Sequence, residues 1–90
     1  MILPATVFTE AQRKIAVEAL TLHIEHLDQQ DGAHIGPAKK AGHRVMRDLV
    51  SSKTIYMFRQ ERLVLTEALH RLNRTDQVVK RLLGKLGEQT

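Results

Sequence analysis

The stretch FTEAQRKIAVEALTLHIEHLD, residues 8–28, constrains the fold more than any other part of the chain. Thr9 and Gln12 stand three apart, so the Thr9 hydroxyl can accept from the Gln12 amide while the Gln12 side chain reaches back to the amide of Thr9. This capping box predicts a helix start. At about 100° per residue, Ala16, Val17, Ala19, Leu20, Ile24 and Leu27 share one face and Ile15 and Leu22 widen it, with Lys14, Glu18, Thr21, Glu25 and Asp28 opposite. An arc this broad is more than one partner helix covers. Either later helices close over both flanks, or a second copy of the chain does, and the expectation drawn from the arc alone is a homodimer. The helix should end near Asp31-Gly32, where glycine supplies a left-handed cap.

Ninety residues enclose one shallow core, so residues 1–90 are read as a single domain. Apolar residues make up 42% of the chain, but Phe8, Tyr56 and Phe58 are its only aromatic residues, so the core must be aliphatic. The chain has no cysteine, which excludes disulfides and thiolate metal sites and fits a reducing compartment; the cytoplasm is the expected location. The opening MILPATVF is apolar but has no basic start and stops at Thr9-Glu10. No run approaches the roughly 18 apolar residues of a membrane span, and no membrane partner is expected.

Three further helical periods follow. Residues 32–37 read as a loop, with Pro37 in the first turn of a second helix that runs to about Ser51. Val45, Met46, Leu49 and Val50 form its apolar side, and Lys39, Lys40, His43, Arg44 and Arg47 the other. From Lys53 to Asn73 the pattern is helical again: Phe58, Leu65 and Leu72 fall seven apart, with Ile55, Ala68 and Leu69 near the same stripe. This segment reads as one long rod, or as two helices if Thr66 acts as an internal cap. Thr75 then caps a last helix with Asp76 beside its positive end and Val78, Val79, Leu82, Leu83 and Leu86 turned inward. The expected fold is all-α, a compact bundle of about four helices with short connections.

Charge divides unevenly along the chain. Residues 1–31 hold two Lys or Arg against five Asp or Glu, a net of −3, and residues 32–90 hold twelve against five, a net of +7. A basic bulk with a pI near 9.9 is one electrostatic footprint of nucleic-acid binding.

Residues 67–86 carry the most specific pattern. Leu72 closes one apolar period, Asn73 tolerates a left-handed turn, Thr75 caps the next helix, and Val79 and Leu82 stand where that helix packs back. In these positions the stretch resembles the helix-turn-helix DNA-binding motif. The resemblance implies a recognition helix with Thr75, Asp76, Gln77, Lys80, Arg81 and Gly84 outward, and Gln, Lys and Arg are types that contact base edges and phosphates. The stretch departs from the motif at Leu69, where a small residue is expected. A plain αα-hairpin remains the alternative reading of the same pattern.

The second basic constellation is GPAKKAGHRVMR, in which Lys39, Lys40, Arg44 and Arg47 could reach successive phosphates from one helix face, with His43 assisting. A solvated face that keeps an aliphatic protein in solution is the plainer reading of it. His23, Glu25 and His26 have metal-like spacing, but no further ligand is evident and His23 lies inside the apolar face, so they read as packed histidines and no metal is expected. There is no triad-like set, phosphate-binding loop or dinucleotide fingerprint, and neither an enzyme nor a cofactor is expected. The chain is therefore expected to be a small non-enzymatic regulator that binds DNA or another nucleic acid. Gln77, Lys80, Arg81 and Lys85 of the last helix, with Thr75, form the contact surface, and Lys39, Lys40, Arg44 and Arg47 support it. The alternative is a helical protein-interaction module, an adaptor or inhibitor of a larger complex, using the apolar face of the first helix and a protein partner.

Overall fold

A computed structural model of the chain describes residues 5–30, 32, 35–72 and 76–88. Its elements run β1 (Ala5–Val7), α1 (Glu10–Asp28), α2 (Ile35–Ser51), β2 (Thr54–Tyr56), α3 (Arg59–Leu72) and α4 (Gln77–Glu88). The all-α class is correct at the level of the bundle, to which a short antiparallel β1–β2 pair is added.

The capping box forms as the sequence implies. The Gln12 amide donates to the Thr9 hydroxyl at 3.1 Å, and the Thr9 amide donates to Gln12 Oε1 at 3.0 Å. The helix ends three residues sooner than expected. Gln29 is its C-cap and donates its amide to the His26 carbonyl at 3.2 Å, and the Gln30 amide donates to the Leu27 carbonyl at 3.0 Å, both three residues back, which closes the helix.

Most of the broad arc of α1 is covered within the chain, with Val17 partly buried and Leu22 half exposed at its edge. Ile15, Ala16, Ala19, Leu20, Ile24 and Leu27 are buried, and α1 packs against α2, α3 and α4. On one flank α2 approaches closely at Gly42, where a Cβ would sit 3.3 Å from the Ile24 side chain, so that side chain would have to give by a few tenths of an ångström. On the other flank Lys85 of α4 reaches Gln12, roughly 120° round α1 from Ile24 at 3.6 residues per turn. Helix α3 also packs along α1, with Glu67 beside His23. One core joins these surfaces, with Leu20, Leu49, Leu65, Leu69, Leu82 and Leu86 almost wholly buried. Each such leucine contributes about 1.5–3 kcal/mol relative to exposure.

The long rod expected over residues 53–73 is corrected. Residues 54–56 are strand, paired Ala5↔Tyr56, Thr6↔Ile55 and Val7↔Thr54, and the Phe8 amide extends the ladder to the Lys53 carbonyl at 2.7 Å. Ile55 and Met57 are buried while Tyr56 and Phe58 are half exposed, which is the two-residue alternation of a strand with one covered face. Helix α3 starts only at Arg59, where Glu61 Oε1 takes the Phe58 amide at 2.7 Å. It does not break at Thr66, whose hydroxyl donates back to the Arg62 carbonyl at 2.8 Å instead of capping a new helix. Helix α4 is capped by Asp76, which accepts the Val79 amide at 3.2 Å. Thr75, assigned that role from the sequence, and Asn73, assigned the turn, lie outside the described residues. Among the described residues no helix is long and apolar enough to cross a membrane.

Candidate nucleic-acid interface

Lys40, His43, Arg44 and Arg47 fall at intervals of three and four along α2, and this spacing lines them up on one side of the helix. All of them are exposed, because Ile35, Gly42, Val45 and Leu49 take the buried side. Among the described residues no acidic side chain pairs with Lys40 or Arg47. Lys39 does not join them. Its ammonium lies 2.7 Å from Asp28 at the end of α1, where it neutralises the acidic helix instead of facing outward.

Arg44 is held more firmly than its neighbours. Its guanidinium carbon stands 5.1 Å from the centroid of the Phe58 ring, a cation–π distance. Its Nη1 lies 3.3 Å from Glu61 Oε2, while the other Glu61 oxygen holds the amide of Phe58. A single buried carboxylate thus fixes both the start of α3 and the guanidinium that leans over it. Arg44 also separates two open clefts. One, of about 270 Å³, is lined by Pro37, Lys40, Ala41, Phe58 and Gln60; the other, also about 270 Å³, by Asp48, Ser51, Thr54 and Tyr56. Tyr56 is 56% exposed and Phe58 50%, so each cleft has an aromatic wall in contact with solvent.

Tyr56, Phe58 and Gln60 were not among the residues expected from the sequence. Read as helix, they scatter round a rod; read as strand and helix start, they come to the basic side of α2. The signal was the alternation Ile55-Tyr56-Met57-Phe58, which places the two aromatic rings on one side.

The last helix divides differently. Gln77, Lys80 and Arg81 are exposed, and Val79 and Leu82 are buried, so these residues take the sides implied by the helix-turn-helix resemblance. Leu69, at the position of the departure, is buried in the core. Lys85 is turned inward: its ammonium donates to the Val7 carbonyl at 2.6 Å and to Gln12 Oε1 at 3.1 Å, tying α4 to β1 and α1. Helices α2 and α4 each pack on α1 and α3 without substantial contact with each other, and neither Lys80 nor Arg81 lines the clefts beside Arg44.

His23 is buried at 1% exposure, and both ring nitrogens lack a hydrogen-bond partner among the described residues. Burial holds its pKa below the ordinary value, the Arg71 charge and His26 act in the same direction, and Glu67 only partly opposes them. The Glu67 carboxylate, 3.8 Å away, is too distant for a hydrogen bond. Among the described residues no group of three or more His, Asp or Glu is placed to hold a metal ion.

Comparison with protein-family models, with curated proteins and with solved structures found no match.

Proposed function

We propose that this protein is a small non-enzymatic nucleic-acid-binding regulator whose principal contact surface is the exposed side of α2, extended by the aromatic residues that follow it. The observation that carries the reading is Arg44, an exposed guanidinium held over the half-exposed Phe58 ring within a basic stripe that includes Lys40 and Arg47. A regularly spaced row of cations tracks a phosphate backbone, and each phosphate neutralised releases condensed counterions. A stripe that only keeps a protein in solution needs neither a fixed guanidinium nor aromatic rings beside it.

A second mode has its own support. Gln77, Lys80 and Arg81 face outward from a helix that Val79 and Leu82 hold to the core, as recognition by α4 would require. Lys85, engaged with Val7 and Gln12, contributes to folding instead. The alternative, a helical protein-interaction module using the apolar face of α1, keeps only the edge of that face at Leu22, since Ile15, Ala16, Ala19, Leu20, Ile24 and Leu27 are packed within the chain.

The test is fluorescence anisotropy with a random-sequence oligonucleotide at low salt. Lys40→Ala combined with Arg47→Ala is expected to weaken binding at least about tenfold without changing the circular dichroism spectrum, since both side chains are exposed. Failure of the parent to bind at low salt, or unchanged affinity in the variant, would remove the reading.

A further inference from the structure

Resting on the nucleic-acid reading, we infer that the ligand is single-stranded, with two successive unstacked bases received by the Phe58 and Tyr56 clefts on either side of Arg44. The two rings project from the same side of an extended segment, two residues apart. At about 3.3 Å per residue they stand about 7 Å apart along the chain. This is about twice the 3.4 Å base spacing along a stacked strand, and so matches bases pulled out of the stack. A duplex keeps its bases stacked on one another and offers only their edges, which leaves a protruding ring beside phosphate-binding cations without a partner. A single strand offers a flat π-face for each ring.

The chemistry around the rings completes the site. Arg44 lines both clefts, so one guanidinium can stack on a base and meet the phosphate that joins two nucleotides. Lys40, on the wall of the Phe58 cleft, and Arg47, about two turns further along the same helix, extend the cationic track. Gln60 in the first cleft and Asp48 in the second supply acceptors for base N–H groups. Glu61 adds little repulsion towards phosphate, because its two oxygens are taken up by Arg44 and the Phe58 amide.

The experiment compares three labelled or competing probes against the full chain: a mixed-sequence single strand, at low and at raised salt, the duplex of the same sequence, and polyglutamate as a polyanion without bases. Expected are single-strand binding at least about tenfold tighter than duplex binding, and a loss of about ten- to a hundredfold for the single strand in Phe58→Ala with its salt slope unchanged. Phe58→Leu keeps the apolar bulk and should lose the same affinity, which covers the case in which the Ala variant melts early. Phe58→Trp should retain binding, and because the chain has no tryptophan, the new fluorophore reports stacking directly by quenching on titration. Equal affinity for both strand forms, polyglutamate competing as well as the single strand, or an unchanged Phe58→Leu variant overturns the inference. If Lys40→Ala with Arg47→Ala still weakens binding in that event, the nucleic-acid reading survives it. If the parent binds neither strand form, both fail.

Discussion

Glu61 shows how one side chain can set the local geometry of a surface. It takes the Phe58 amide at 2.7 Å and meets Arg44 at 3.3 Å, so Glu61→Ala should cost about 0.5–2 kcal/mol as a lost cap and release the guanidinium. Urea titration measures the first effect. Weaker oligonucleotide binding measures the second, and Glu61→Gln, which can still accept the amide, should restore most of the stability. His23 makes a separate prediction about pH. In the fold its neutral form is favoured by burial first, then by the charge of Arg71, whereas the unfolded chain takes up a proton near the ordinary value of 6.5. The unfolded state therefore binds more protons below that value, and stability falls as pH drops through about 6.5 towards the depressed folded pKa. His23→Leu should flatten this part of the stability profile, measured by thermal melts between about pH 8 and 5. A profile with the same slope in both proteins would contradict the account of His23.

Among the elements, α1 was legible in sequence because its information is local. The capping box spans four residues, and the apolar arc repeats often enough to fix the buried side. The strand β2 was not legible on the same terms. Ile55, Tyr56, Met57 and Phe58 alternate for only four residues, while Phe58, Leu65 and Leu72 also fit a helical stripe; the deciding partner, Thr6 opposite Ile55, is remote in the chain. Nonlocal pairing overrode a local pattern, and the two aromatic residues of the candidate site were hidden with it. Within the site, the basic residues of α2 were found because helical spacing alone aligns them, but no spacing rule could tell that Lys39 would turn to Asp28 or Lys85 to Val7. In α4 the inward side was correctly assigned, and its importance can be measured. Val79, 1% exposed, cannot carry a charge without burying it unpaired, so Val79→Asp should destabilise the chain by at least about 3 kcal/mol, read by chemical denaturation, with loss of helical circular dichroism signal. A variant as stable as the parent would mean that α4 is not held by this face.

At the scale of the molecule, α2 and α4 each pack on α1 and α3 without substantial contact with each other. The basic residues of the C-terminal part of the chain therefore form two separate surfaces, and a phosphate backbone engaged by one need not reach the other. Burial of Ile15, Ala16, Ala19, Leu20, Ile24 and Leu27 inside the chain takes up most of the apolar arc on which a homodimer was expected, and Leu22 at its edge stays half exposed. Sedimentation equilibrium should accordingly give a monomer mass at about 100 micromolar, and a dimer mass would show that another face associates. The most direct test of the α2 surface is the salt dependence of single-strand binding in three proteins: the parent, Lys40→Ala with Arg47→Ala, and Lys80→Ala with Arg81→Ala. Each phosphate contact on a single strand contributes about 0.7 to the slope of log K against log salt, so the α2 variant should lose about 1.4 from the parent slope while the α4 variant keeps it. An unchanged slope in the α2 variant, with the loss appearing in the α4 variant instead, would contradict the assignment and place the contact on the last helix.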